Sequence, residues 1–370
     1  MTNSTPRSAQ AAHAAATGGW PPRWRVPLLM LGFVGLAAGS GAGLARLGWA
    51  VPDWMASAAA LHGPLMICGF FVVVRSLERA VALARGWAHG GALLAGAGSL
   101  SAVAGQAGPA AGCFLAGSAV LLSASVALWR RQPASFTAVL VVGAACWVVG
   151  NLAWLLGWPV HEIVPWWFGF LILTIAGERL ELSRLQPRTA MAGRAFVVVL
   201  GLVLAGMLGS RTAWGAPVFG GGLLLLALWL LKHDIARRTV RSQGLTRFIA
   251  VCLLSGYAWL AIGASIILAA GGLQPGSAGY EAALHALGLG FVFSMVFGHA
   301  PIIFPAVVRV AVPYHPSFYV ALLMLHASLA LRLAGSAAGQ FEFVRLGGAL
   351  NVLALAAFIV GTASAVARRR

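Results

Sequence analysis

Four histidines stand inside long apolar runs of this 370-residue chain: His62, His285, His299 and His326. Ionisable side chains are costly within a bilayer and mark function by default. Neutral imidazole is the commonest metal ligand and can hold haem iron. The eight carboxylates lie elsewhere. Asp53, Glu162, Glu281 and Glu342 fall near one set of run ends, and Glu78, Glu178, Glu181 and Asp234 near the opposite set. Proton- and cation-coupled transporters place a carboxylate near mid-membrane, and this pattern supplies none. Histidines without an acid at the same depth therefore read as metal or haem ligands rather than as a proton relay.

Spacing sharpens the reading. His285 and His299 are 14 residues apart, about 40° short of four full α-helical turns, so both fall on one helix face roughly 21 Å apart. His299 precedes Val312 by 13 residues, and His326 follows Pro313 by 13. Folding the chain back at Val312–Pro313 brings the two level. His62 lies roughly 12 Å into its run, and His285 enters from the same side. The expectation is an outer pair, His62 with His285, and a deeper pair, His299 with His326.

Local context agrees. Gly63 and Gly69 follow His62, and glycine beside a ligand lets a flat porphyrin approach the backbone. Pro301 and Pro305 follow His299, freeing carbonyls that a span must satisfy otherwise. A single His in a span is as often a helix–helix hydrogen-bond partner, so the four count together. His315, in His315-Pro316-Ser317-Phe318-Tyr319, is a weaker metal candidate and reads first as a helix start with proline in its first turn. Met66 and Met324 read as packing, and His161-Glu162 as a solvated pair.

These residues need helices that cross a membrane. The chain is 60% hydrophobic and 9% charged, against about 25% charged in soluble domains, which excludes a water-soluble or disordered protein. Apolar runs predict an all-α polytopic bundle of about twelve transmembrane helices, at 27–47, 55–76, 88–106, 109–129, 135–157, 163–182, 193–210, 215–232, 247–270, 281–309, 316–334 and 343–366. Residues 1–22 read as a polar cytoplasmic tail and 23–370 as a single twelve-helix membrane domain. No removable signal peptide is expected.

With both termini in the cytoplasm, every Lys and Arg except Arg46, Arg211, Arg332 and Arg345 falls on the inner side, as the positive-inside rule requires. The net charge of +17 thus belongs to loops facing anionic lipid, and nucleic acid is not an expected partner. Cys68, Cys113, Cys146 and Cys252 sit in apolar runs with no C-x-x-C pair, which reads as buried thiols rather than disulfides. No clear repeat is visible, and the 47 glycines read as close helix packing.

Particular stretches carry a resemblance. His62-Gly63-Pro64-Leu65-Met66, followed by Leu77-Glu78-Arg79-Ala80, resembles the second helix of a group of twelve-span bacterial membrane proteins. Gly177-Glu178-Arg179-Leu180-Glu181-Leu182 and Phe297-Gly298-His299-Ala300-Pro301-Ile302-Ile303-Phe304-Pro305 resemble the same group. The group is similar to the NnrS family, haem- and copper-containing membrane proteins linked to nitric oxide stress. More distantly it resembles subunit I of haem–copper oxidases and nitric oxide reductases, whose H-G-x-x-M helix carries a low-spin haem ligand.

The resemblance implies that His62 ligates a b-type haem, with copper as a second candidate metal. It also implies a bacterial inner membrane location and an electron donor or oxidase as partner. Neither the His-His pair of the oxidase copper site nor H-x-H on the tenth span is present, so haem binding is expected ahead of oxygen or nitric oxide reduction. The expected role is to sense, handle or detoxify nitric oxide, or to move electrons. The alternatives are a permease for a small neutral or anionic solute and an assembly factor delivering haem or copper to a respiratory oxidase.

Overall fold

The computed structural model describes residues 19–182 and 189–368, and these form twelve long helices with no strand among them. They are α1 Pro22–Arg46, α2 Ala59–Leu83, α3 Gly90–Val103, α4 Ala107–Arg131, α5 Ser135–Leu155, α6 Val160–Leu182, α7 Ala190–Leu208, α8 Gly215–His233, α9 Gly244–Ala269, α10 Ala278–Val308, α11 Phe318–Ala337 and α12 Phe341–Ala367. Arg7, His13, Arg184, Arg188, Arg369 and Arg370 of the expected inner side lie outside the described residues.

Eleven of the twelve are long and apolar enough to cross a membrane, so the protein is a multi-pass, all-α membrane bundle. The exception is α3. The run expected at 88–106 forms only 14 residues of α-helix, after a 3-10 turn at Gly86–His89. At 1.5 Å per residue this covers roughly 21 Å, short of a hydrocarbon core of about 30 Å. Four glycines, Gly90, Gly91, Gly96 and Gly98, weaken its helical preference. Acid partners stand beside Arg211, Arg332 and Arg345, which break the charge alternation. Arg211 meets Glu162 at 3.0 Å, Arg332 meets Glu281 at 3.2 Å, and Arg345 meets Glu342 at 3.6 Å.

Two helices are broken internally. In α2 the residues Leu65–Phe71 form a π segment, and in α10 the residues Ala286–Phe293 form another. Such i→i+5 turns are rare and concentrate at functional sites. They also leave carbonyls poorly aligned, and in α10 the Ser294 hydroxyl reaches back to Gly290 O at 2.6 Å.

The chain divides into two compact units. The first runs to Leu156 and adds Ile303–Val310. Here α1 lies against the π segment of α2 because its small residues allow contact. A Cβ on Gly35 would sit 3.1 Å from the carbonyl carbon of Gly69. Arg25 fastens the start of α1, donating from Nε to Trp20 O at 2.8 Å and from Nη1 to Val307 O at 3.1 Å. Deeper in, Trp147 donates to Cys68 Sγ at 3.3 Å and Asn151 donates to Phe114 O at 3.2 Å. All four cysteines are free thiols.

His89, in the turn before α3, is fully buried and stacked on Trp20, with centroids 5.0 Å apart and planes 3° from parallel. Burial, aided by the Arg25 cation, lowers its pKa. The unfolded chain then binds a proton that the folded one resists, so stability is full above the unfolded value of about 6.5 and falls as pH drops through it. Urea unfolding in detergent between pH 7 and pH 5 should show that loss, and His89→Phe should flatten it while keeping the ring stack. An unchanged slope in the variant would contradict this origin.

The second unit comprises Gly157–Ile302 and Ala311–Arg370. It holds a buried ion pair. Arg179 of α6 grips Asp234, which follows α8, with Nε at 2.7 Å from Oδ2 and Nη2 at 3.1 Å from Oδ1. Tyr257 of α9 donates to Asp234 Oδ2 at 2.9 Å, and the Ala236 amide donates to Oδ1 at 2.7 Å. The two charged side chains are 3% and 0% exposed. Asp234, just past the end of α8, is thus a buried anchor joining α6, α8 and α9.

Candidate functional site

His62 opens the second turn of α2, three residues before its π segment. Its Nδ1 lies 2.7 Å from Gly39 O of α1. The ring reaches that carbonyl because the next turn of α1 carries Gly43. A Cβ there would lie 2.9 Å from His62 Cε1 and 3.0 Å from Nδ1. Gly39 likewise makes room for Met66, whose Sδ would be 2.8 Å from a Cβ. These glycines therefore do more than let helices approach: they form the seat of one imidazole. A Cβ on Gly63, beside His62, would meet nothing within 4 Å.

His285 ends the α-helical first part of α10, directly before the second π segment. Its Nδ1 is 2.7 Å from Glu281 O and 3.4 Å from Glu281 Oε2. The same carboxylate accepts from Arg332 of α11 at 3.2 Å. His299 stands beyond the π segment, with Nδ1 2.7 Å from Met295 O. The shared-face expectation for His285 and His299 assumed one continuous α-helix. The intervening π turns add residues per turn, and each added residue rotates the rest of the helix by about 100°.

A common chemistry unites His62, His285 and His299. A carbonyl oxygen only accepts, so Nδ1 carries a proton, and in the neutral ring Nε2 keeps the lone pair. Metal-bound histidines are oriented in this way, the second nitrogen donating to a carbonyl or carboxylate.

His326 differs. Trp259 Nε1, which can only donate, points at Nδ1 from 2.9 Å, so Nε2 carries the proton and meets Ser255 Oγ at 3.0 Å. Both ring nitrogens are engaged with α9, and no hydrogen bond joins His326 to His299. Ligation by His326 would require release of Trp259. His315 is exposed before α11. Its Nδ1 is 2.8 Å from Ser317 Oγ, and its carbonyl accepts from the Phe318 amide at 3.1 Å, which is a helix-start arrangement.

His62 belongs to the first unit, and His285, His299 and His326 belong to the second. Among the described residues, no three His, Cys, Asp or Glu side chains gather as a metal cage. Haem needs only one or two axial side chains, since its macrocycle supplies the other donors.

The supporting residues were not visible as such in sequence. Glu281 and His285 are four apart, a spacing that places them together on a helix, and that signal could have paired them. Trp259 and Ser255 lie 67 and 71 residues from His326 and carry no local signal.

No curated protein and no solved structure matches the chain. One family model, described as a domain of unknown function (DUF8744), matches residues 25–367. That match runs from the start of α1 to the end of α12, and the chain belongs to this family.

Proposed function

We propose that this protein binds b-type haem within a bacterial inner membrane through His62, His285 and His299, both termini facing the cytoplasm, and serves in nitric oxide handling or electron transfer. The observation that carries the proposal is the shared anchoring of three intramembrane imidazoles, each with Nδ1 at 2.7 Å from a backbone carbonyl. The anchoring fixes the tautomer and directs the lone pair of Nε2 outward from its own support. Nitric oxide enters through the NnrS-like motifs around His62 and His299. Bound haem would supply a one-electron couple, and a gas site if an axial position stayed open.

The chain's own part is to hold the imidazoles and keep water away. Leu65 and Phe70 after His62, and Leu287 and Phe291 after His285, are buried and apolar. A dry, low-dielectric surround of this kind tunes a metal centre. Glu281, held by Arg332, strengthens the donor power of His285 through its Nδ1–H.

Reduced-minus-oxidised spectra of detergent-purified protein test the assignment. His62→Ala and His299→Ala should each lower haem absorption in protein that stays monodisperse. Full-strength spectra in both variants would refute these ligands.

A further inference from the structure

We infer that the chain carries one haem-binding device in two copies, one per compact unit, with His62 anchoring the first haem and His285 the second. The inference rests on the haem reading above and adds its stoichiometry and its internal symmetry.

Four observations converge. Ala59-Ala60-Leu61-His62 and Ala282-Ala283-Leu284-His285 are the same tetrapeptide, and it occurs at these two places alone. Each is followed by a π segment, of seven residues starting at Leu65 and of eight starting at Ala286. Ala- and Leu-rich composition could repeat AALH by chance. It does not account for a π segment after both copies, because π turns make up well under about 1% of residues in proteins.

The third observation is the seat. In each unit the helix before the broken one presents glycine to the π segment. A Cβ on Gly35 of α1 would lie 3.1 Å from the Gly69 carbonyl carbon, and a Cβ on Gly256 of α9 would lie 3.3 Å from Phe291 O. The fourth is order along the chain. α1, α2 and the pair α3–α4 correspond to α9, α10 and the pair α11–α12. In both sets a long helix precedes a His-bearing broken helix, and two helices joined by a short connection come next.

The physics gives the repeat a purpose. A π turn widens the helix just past the ligand and turns the following side chains out of α-helical phase. Glycine on the partner helix lets the widened segment stay close. A helix built this way can bring a histidine forward from a backbone that is itself held firmly. The two copies use different acceptors for Nδ1, Gly39 O on the neighbouring helix for His62 and Glu281 O on the same helix for His285, and the π segment starts three residues after His62 but directly after His285.

The test is haem per chain in full-length protein purified from haem-replete cells, by pyridine haemochrome against amino-acid analysis. Two haems per chain are expected, falling to one in His62→Ala, one in His285→Ala and none in the double variant. His62→Gly and His285→Gly expressed with added imidazole should recover the missing haem, which separates ligand loss from misfolding. One haem per wild-type chain would overturn the duplication and leave the haem proposal standing. Loss of all haem from either single variant while it remains monodisperse would also overturn it. No haem in the wild type would remove both.

Discussion

Replacing Asp234 with Ala should cost about 3–5 kcal/mol of folding stability, the usual penalty for breaking a buried ion pair from one side. Asp234 accepts two bonds from Arg179, one from Tyr257 and one from the Ala236 amide, with the pair almost wholly buried. Removing the carboxylate strands a guanidinium charge away from water and leaves the Tyr257 hydroxyl and the Ala236 amide without their acceptor. Arg179→Ala should cost a similar amount. The double variant should cost much less than the sum, because it leaves neither charge stranded. Urea or thermal unfolding in detergent would measure all three. A loss below about 1 kcal/mol for Asp234→Ala, the range of exposed pairs, would show that the charges are not sequestered.

Gly43→Val should unseat His62. The new Cβ would fall 2.9 Å from His62 Cε1, so the ring must swing away and give up its bond to Gly39 O. Overpacking of this kind costs about 1–3 kcal/mol. The larger consequence is functional: the haem assigned to His62 should be lost, removing about half of the absorption if each unit holds one. Gly112→Ala in α4 is the control, since a Cβ there meets nothing within 4 Å, and it should retain full absorption. Retention of full absorption by a folded Gly43→Val protein would show that His62 does not hold haem in this pose.

These two sites mark where reading the sequence succeeds and where it stops. Long apolar runs bounded by charge are local signals, and they locate helices closely. The expected runs 135–157 and 215–232 became Ser135–Leu155 and Gly215–His233. α3 fell short because its glycine-rich run is apolar without being strongly helical. The π segments leave no periodic trace in runs that are apolar on every side, so the shared face inferred for His285 and His299 rested on a phase that α10 does not keep.

Partners distant in sequence were equally hidden. Nothing near His326 points to Trp259, and nothing near His62 distinguishes Gly43 from the other glycines of α1. Asp234 follows Lys232 and His233 and precedes Arg237 and Arg238, so its neighbours suggest a solvated loop. Its burial depends on Arg179, which lies 55 residues earlier. The division into two units is also silent in sequence, because no polar linker marks it. The tetrapeptide AALH is too short to read as a repeat in sequence, and it acquires meaning only when a π segment is seen after each copy.

The absorption spectrum of full-length protein, purified in detergent from haem-replete cells and recorded before and after reduction, tests haem binding most directly. A Soret band that sharpens and shifts on adding dithionite is the expected result. Colourless, iron-free and well-folded protein would contradict it.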